Sequence, residues 1–176
     1  GGHLRVLLNL IENNDASNVN MNIARQAIEL VNPLTVSRSA GDALKKGWIR
    51  KSDTICMNSE HLLSLGKKKV LELSDNGYQP PKYRDDLTLP GTALRTMASV
   101  VTKGMKVAGK ISDHDELVAS KSAYVLSGGD KGGLMSKVDE QHVLDIEREA
   151  FMSLAGEKKT QQRIAHFLKT GKPLRN

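Results

Sequence analysis

The sequence predicts a mainly α-helical fold with at most short extended segments. Apolar residues recur at three- and four-residue spacing through most of the 176 residues. Two Ser-x-x-Asp pairs, Ser39 with Asp42 and Ser112 with Asp115, have the spacing of a capping box, in which each side chain bonds the other residue's backbone amide. Glycines and prolines follow the periodic runs, where helices end. A series of short amphipathic helices is therefore expected.

The first part of the chain predicts two helices joined by a polar turn. The first helix has an apolar stripe of Leu4, Leu7, Leu8 and Ile11. The turn, residues 13–18, is rich in Asn and Asp, which bond their own backbone and tolerate positive φ. The second helix runs from about 19 to 31, with Pro33 beyond its end. The β-branched run 34–36 is expected to be extended.

The middle of the chain predicts a short helix, an extended segment and a long helix. The short helix starts at the Ser39 capping box and ends at Gly47. Residues 52–57 are expected to be extended, and 59–76 to be helical with a solvated lysine triplet at 67–69. The apolar residues of that long helix are Leu62, Leu63, Leu65, Val70, Leu71 and Leu73.

Residues 78–91 are predicted to be a proline-rich linker between the regions 1–77 and 92–176. The linker contains Pro80, Pro81 and Pro90 with charged residues between them, a composition that favours irregular backbone. Helices are predicted over 92–107, with Met97, Val100, Val101 and Met105 on the apolar side, and over 112–126, 138–155 and 158–169. Residues 127–133 form a glycine-rich loop that follows a helix and lacks the spacing of a nucleotide loop, so a flexible connector is expected.

Composition limits the classes of function. The net charge of +6 suits an anionic partner or a solubilising surface. The basic residues are interleaved with acids, and aromatic residues make up only 3%, so the stacking platform of single-strand binders is missing and no nucleic-acid partner is expected. No apolar run approaches the roughly 18 residues that span a membrane, so no membrane insertion is expected. The single cysteine, Cys56, suits a reducing cytoplasm.

No complete catalytic or metal-binding constellation is present. The five histidines lack the three- or four-residue spacing that would place two ligands on one helix face. The acidic cluster at 113–116 is interpreted as a helix start, where carboxylates are stabilised by unpaired amides and the helix dipole. The sequence therefore predicts no catalytic residue and no metal ligand in this chain.

The C-terminal stretch carries a family resemblance. Glu147, Phe151 and Leu154, then Ile164, Phe167 and Leu168, and a closing Lys172-Pro173, form a pattern that resembles the last helices of crotonase-family enoyl-CoA hydratases. The run GEKKTQQRIAHFLKTGKPLRN is similar to the end of bacterial enzymes that fuse a 3-hydroxyacyl-CoA dehydrogenase to an enoyl-CoA hydratase. The segment SRSAGDALKKGWI resembles a crotonase motif in which a small helix ends at a glycine.

The resemblance implies a piece of a larger enzyme of fatty-acid β-oxidation. Residues 1–77 would be the C-terminal part of a crotonase-like domain and 92–176 extra helices of the fusion family. Gly1 and Gly2 resemble the tail of a glycine-rich loop that follows the second catalytic glutamate, or are left from an expression tag. The catalytic glutamates, the oxyanion amides and the NAD-binding domain would then lie upstream, so the chain alone is expected to bind no NAD and to be inactive.

The same resemblance implies one ligand contact. Crotonases place a phenylalanine of the C-terminal helix, and a lysine three residues later, against the adenine end of CoA. Phe167 matches the phenylalanine, but Thr170 stands at the lysine position, so the lysine's role would pass to Lys169 or Lys172. The alternative is that Phe167 packs in the core of the helical hairpin.

Two other classes of function stay open at this stage. One is a helical assembly module without a site of its own, and the other is a basic helical domain that binds nucleic acid. The acyl-CoA substrate is the expected partner of the whole enzyme. The apolar stripe of the first helix also predicts self-association, or association with a missing N-terminal portion, because a cut domain exposes core surface.

Overall fold

The computed structural model describes residues 1–32 and 36–176, and helices dominate there, which confirms the predicted fold class. The helices are α1 (Gly2–Asn13), α2 (Met21–Val31), α3 (Ala40–Lys46), α4 (Leu62–Asp75), α5 (Thr92–Val107), α6 (Asp113–Leu126), α7 (Glu140–Ala155) and α8 (Lys158–Thr170). Two short 3-10 turns occur at Ser59–His61 and Gly129–Lys131. Within the described ranges no helix is long and apolar enough to cross a membrane.

The predicted capping residues begin the helices as expected. At α6, the Ser112 hydroxyl accepts from the Asp115 amide and the Asp115 carboxylate accepts from the Ser112 amide, so the capping box is complete. At α3, the Ser39 hydroxyl accepts from the Asp42 amide, but the Asp42 carboxylate accepts from the amide of Arg38 instead of that of Ser39. In α3, therefore, Ser39 caps the helix as predicted, but the bond to the Asp42 carboxylate comes from the residue before the cap.

The core forms around α1, which packs against α2, α6 and α7. Leu7 on α1, Ile23 on α2, Leu126 on α6 and Val143 on α7 are all fully buried in it. Burying one such aliphatic side chain contributes roughly 1.5–3 kcal/mol. Helices from both sides of residues 78–91 thus share one hydrophobic core.

The segment 78–91 is not irregular throughout. Residues 87–88 form strand β1 (Leu87–Thr88), which pairs antiparallel with β2 (Lys137–Val138) so that Leu87 faces Val138. Leu87 and Leu89 are fully buried in the core. Pro80 and Pro81 correctly predicted irregular backbone before the strand. The buried side chains of Leu87 and Leu89 hold the end of the segment in the core. Val138 lies in β2, so the helix predicted over 138–155 begins later than expected, at Glu140.

Two predicted apolar faces are exposed. All apolar side chains of α4 are at least partly exposed, and the 3-10 turn before it is the one element of the described ranges with which it makes extensive contact. On α5, Leu94 and Ala98 are buried, whereas Val100, Val101 and Met105 are exposed because the helix extends past the core.

Of the predicted extended segments, 34–36 falls mostly on residues 33–35, which lie outside the described residues. Val36, the first residue described after them, is exposed and has no regular secondary structure. Residues 52–57 likewise have no strand pairing. The polar turn is confirmed, and Asp15 within it has a positive φ of 51°.

Gly91, the residue before α5, tests how tightly the glycine-rich loop is packed. Its φ is +60°, and a Cβ there would lie 2.4 Å from the carbonyl oxygen of Gly132. Gly91→Ala should therefore lower the free energy of unfolding by at least about 2 kcal/mol, from strain and overlap together. Gly104→Ala, in the interior of the same helix with open space around it, should raise it by about 0.5–1 kcal/mol. Urea unfolding of both variants measures these changes. If both substitutions changed the free energy of unfolding by the same amount in the same direction, the packing described would be contradicted.

Candidate functional site

The predicted contact residues lie at the end of α8, at the surface. Phe167 is 56% exposed, so its ring does not pack in the core of the described hairpin. Lys169 and Lys172 are also exposed. Phe167 and Lys169 are two positions apart on one helix, which is a rotation of about 200°, so they point to different sides of α8. The helix ends at Gly171 in the left-handed conformation.

Thr170 connects Lys172 to this helix end. Its hydroxyl donates to the His166 carbonyl at 2.8 Å and accepts from the Lys172 amide at 3.1 Å. Thr170 follows Phe167 by three positions and therefore lies on a neighbouring side of the helix. The structure thus places the backbone of Lys172 beside Thr170, and Lys169 on another side of α8 from Phe167.

The base of α8 is fixed to the start of α6 by polar contacts. The Arg163 guanidinium forms an ion pair with Asp115 at 2.8 Å, and the His114 ring bonds the Thr160 hydroxyl at 2.9 Å. Burial disfavours the charged form of Asp115, but hydrogen bonds from the Ser112 amide and from Arg163 outweigh it, so the pKa of Asp115 lies below its usual value. These contacts set the orientation of the exposed end of α8.

His114 is buried at this junction. Burial lowers the pKa of His114, and the positive charges of Arg163 and Lys159 lower it further. The imidazole is therefore neutral at pH 7. A neutral ring nitrogen can either donate to or accept from the Thr160 hydroxyl, depending on the tautomer.

The C-terminal tail returns along α8. The Asn176 side chain accepts from Arg163 Nε at 2.8 Å and donates to the Gln162 side-chain oxygen at 2.9 Å. Arg163 therefore joins three parts of the chain, the start of α6, the helix α8 and the tail. The tail is held beside the helix, and Lys172 with it.

An exposed ring and exposed ammonium groups at the end of one helix can bind a planar, anionic ligand at a surface. An aromatic face can stack on another planar ring, and an ammonium group attracts phosphate. Among the described residues there is no cluster of three His, Cys, Asp or Glu side chains that could hold a metal ion.

A second polar cluster joins α7 to the start of α1. The Glu147 carboxylate accepts from the Gly2 amide at 2.9 Å and from His3 Nδ1 at 3.1 Å, and it lies 3.1 Å from the Gly1 ammonium group. Burial disfavours its charged form, but the bonds from His3 and from the ammonium group outweigh burial and lower the pKa of Glu147 to about 2. Glu147 is thus a carboxylate at the positive end of a helix.

A groove lies between α5, α6 and α7. Its floor is one side of α6, with Ala119, Ser120 and Ala123, and its walls are α5 and α7. The cavity measures about 570 Å³. At one end Arg95 lies 5.5 Å from the centre of the Tyr124 ring. We call this feature the α5–α6–α7 groove.

Sequence reasoning missed the groove, the Glu147 cluster and the junction at Arg163. Glu147 and His3 are separated by 144 residues, so no local pattern relates them. The groove forms where small side chains of three helices, α5, α6 and α7, lie next to one another. Small residues within a helix do not indicate by themselves that neighbouring helices leave a groove there. A helix-wheel comparison of α6 could have indicated two different faces, one aliphatic and one of alanine and serine.

Comparison with known proteins gives one informative relative. The chain is 40% identical over 156 residues to a protein of Bacillus subtilis (strain 168) named probable 3-hydroxyacyl-CoA dehydrogenase. The match covers 89% of the chain and 20% of the relative, so the chain spans about a fifth of the relative's length. No family model and no solved structure matches the chain.

The low pKa of Glu147 predicts a pH-dependent contribution to stability. A depressed carboxylate pKa stabilises the fold above the unfolded value of 4.5, and the contribution is lost as the pH falls toward 2. Glu147→Gln in the 176-residue chain should therefore lower the free energy of unfolding by about 2–3 kcal/mol at pH 7, the size of charged hydrogen bonds.

The measurement is urea unfolding of both proteins from pH 2 to pH 7. The two curves should converge as the pH falls below about 4.5. Glu60→Gln, at an exposed glutamate in the turn before α4, is the matched control and should change stability by less than about 0.5 kcal/mol. A difference for Glu147→Gln that is constant over the whole range would show that its charge is not what stabilises the fold.

Proposed function

We propose that this chain is the C-terminal part of a fused 3-hydroxyacyl-CoA dehydrogenase/enoyl-CoA hydratase. The longer enzyme would hydrate a trans-2-enoyl-CoA and oxidise the resulting 3-hydroxyacyl-CoA with NAD, in the β-oxidation of fatty acids in the cytoplasm. The observation that supports this most is 40% identity over 156 residues to a relative named probable 3-hydroxyacyl-CoA dehydrogenase. The crotonase-like pattern from Glu147 to Pro173 supports the hydratase half.

NAD would bind outside this chain. Dinucleotide sites use a glycine-rich turn between a parallel strand and a helix. In the described ranges the sheet consists of two antiparallel strands of two residues each, and the glycine-rich loop at 127–133 follows α6 instead of a strand. The residues present therefore do not fit the cofactor, and the oxidation step belongs to other parts of the proposed enzyme.

The chain's own contribution is proposed to be a contact with the distal end of acyl-CoA. The exposed ring of Phe167 would stack on the adenine, and Lys172, whose amide donates to the Thr170 hydroxyl, would attract the phosphates. Lys169 points to another side of α8, so we favour Lys172 over Lys169 for this role. The Arg163–Asp115 ion pair would keep the end of α8 in place.

A helical assembly module without a site of its own is the second candidate. The apolar side chains of α4 lie outside the core, and exposed amphipathic helices of this kind commonly bind other proteins. This reading and the first are compatible, because a segment of an enzyme can also be where its subunits join.

Phe167→Ala in the longer enzyme tests the proposal. Loss of adenine stacking removes binding that is equal in the ground and transition states, so KM for acyl-CoA should rise several-fold while kcat stays nearly constant. Because Phe167 is more than half exposed, the melting temperature should change little. Leu168→Ala, at an even more exposed neighbour, is the control and should leave KM unchanged.

The same assays test the wider assignment. The longer enzyme should hydrate crotonyl-CoA and reduce NAD with a 3-hydroxyacyl-CoA, and the 176-residue chain alone should do neither. Turnover by the short chain, or a longer enzyme without either activity, would contradict the proposed function. An unchanged KM for Phe167→Ala in an active enzyme would contradict only the ligand contact.

A further inference from the structure

Helix α4 ends at an asparagine that is followed by a glycine. Asn76 is the residue after the last helical turn, and Gly77 follows it in the left-handed conformation with a φ of +68°. The Gly77 amide donates to the Ser74 carbonyl at 3.0 Å. The Tyr78 amide donates to the Leu73 carbonyl at 2.9 Å. These are the two bonds of a Schellman motif, so Gly77 closes the C-terminal end of α4.

The order Asn-Gly allows a reaction within the chain itself. The backbone nitrogen of Gly77 can attack the side-chain carbon Cγ of Asn76, because the new bond closes a five-membered ring. A glycine has no Cβ to hinder this attack, and its backbone turns freely into the required conformation. A Cβ placed on Gly77 would meet nothing within 4 Å, so no neighbouring group obstructs this position.

Asn76 differs from the other asparagines in its surroundings. It is exposed, and within the described residues no group bonds its side-chain amide. Asn32 precedes Pro33, whose nitrogen carries no hydrogen and therefore cannot take part in this reaction. The remaining asparagines precede residues other than glycine, or end the chain, and their side chains form hydrogen bonds: Asn9, Asn13, Asn14, Asn18, Asn20, Asn22, Asn58 and Asn176.

The reaction requires the end of α4 to open. In the closed cap the Gly77 amide is bonded to the Ser74 carbonyl, so its nitrogen is not free to attack. Opening requires little free energy, because α4 contains no buried residue and a helix of this length without tertiary packing is only marginally stable in water. Exposed helix ends of this kind open locally without unfolding of the core. The reactive form of the chain is therefore the one in which the last turn of α4 has frayed.

We propose that Asn76 is a site of spontaneous deamidation and that fraying of the end of α4 sets its rate. The Gly77 nitrogen forms a bond to Asn76 Cγ and gives up its proton, the Cγ–Nδ2 bond breaks, and Nδ2 leaves with that proton as ammonia. The product is a cyclic succinimide. Water then opens the ring, to aspartate when the bond from Cγ to nitrogen breaks, or to isoaspartate when the original backbone bond breaks. This inference does not depend on the enzyme activity proposed above.

Either product weakens the end of α4. Aspartate adds a negative charge next to Asp75, and the last turn of α4 contains no basic residue. Negative charge at the C-terminal end of a helix is unfavourable because of the helix dipole. Isoaspartate also lengthens the backbone by one carbon atom before Gly77, which displaces the amides of Gly77 and Tyr78 from their carbonyl partners. The modification therefore converts a closed helix end into an open one.

Peptide mapping of the folded 176-residue chain during prolonged incubation is the first test. Aspartate and isoaspartate should accumulate at position 76, and faster at alkaline than at neutral pH, because the attacking Gly77 nitrogen must lose its proton. Asn76→Gln should abolish the modification, since its longer side chain would have to close a six-membered ring.

Asn58 is the internal control for this measurement. It is exposed like Asn76, but Ser59 follows it and its side-chain oxygen accepts from the Glu60 amide at 3.0 Å. It should stay largely intact during the time in which half of Asn76 reacts. A folded chain in which Asn76 stays intact, or in which Asn58 reacts at the same rate, would overturn the proposal.

Two substitutions at Ser74 test whether the end of α4 controls the rate. Ser74 is exposed and lies in the last turn of the helix. Because glycine disfavours and alanine favours the helix, Ser74→Gly should deamidate about fivefold faster than Ser74→Ala, with the wild-type chain between them. In concentrated urea all three chains should react at one rate, faster than the folded wild type. Equal rates for the three folded chains, or a folded wild type as fast as the unfolded one, would refute control by the helix end.

Discussion

Burial of the apolar side of α1 is the interaction on which the rest of the structure depends. Six of its residues are buried, and the helix packs against α2, α6 and α7. Leu7 is completely enclosed, and Leu87 of β1 and Leu89, just after that strand, lie in the same core. The polar contacts follow from this arrangement, because Glu147 can reach His3, and Asn18 can bond Asp86, only when α1 is in place.

The parts of the chain that are outside this core are those to which we assign binding. Neither α4 nor α8 contains a buried residue. Each presents apolar side chains to solvent, α4 at Leu63 and Val70 and α8 at Phe167. A helix that is fixed at one end and exposed along one side is suited to contact a ligand or another molecule.

Local signals in the sequence were sufficient for the helices and their ends. Ser112 and Asp115 cap α6, Gly47 ends α3, and the bounds of α5 agree with its periodicity. The sequence could not tell which periodic face meets the core, since the stripes of α4 and α5 look like those of buried helices. The burial of Leu87 depends on a partner strand 51 residues away, at Val138, and the prolines near Leu87 gave no indication of a strand. For the same reason the sequence placed the site residues on α8 but could not predict that Phe167 is exposed.

Hydrogen exchange of the Leu7→Ala variant tests most directly whether one core unites the chain. The substitution should cost about 3–5 kcal/mol as a large-to-small change at a fully buried site. If α1 supports a single core, amides in α2, α6 and α7 should lose protection by the same free energy as those in α1. Loss of protection confined to α1 and α2, with α6 and α7 unchanged, would show that the regions before and after residues 78–91 fold separately and would contradict the account.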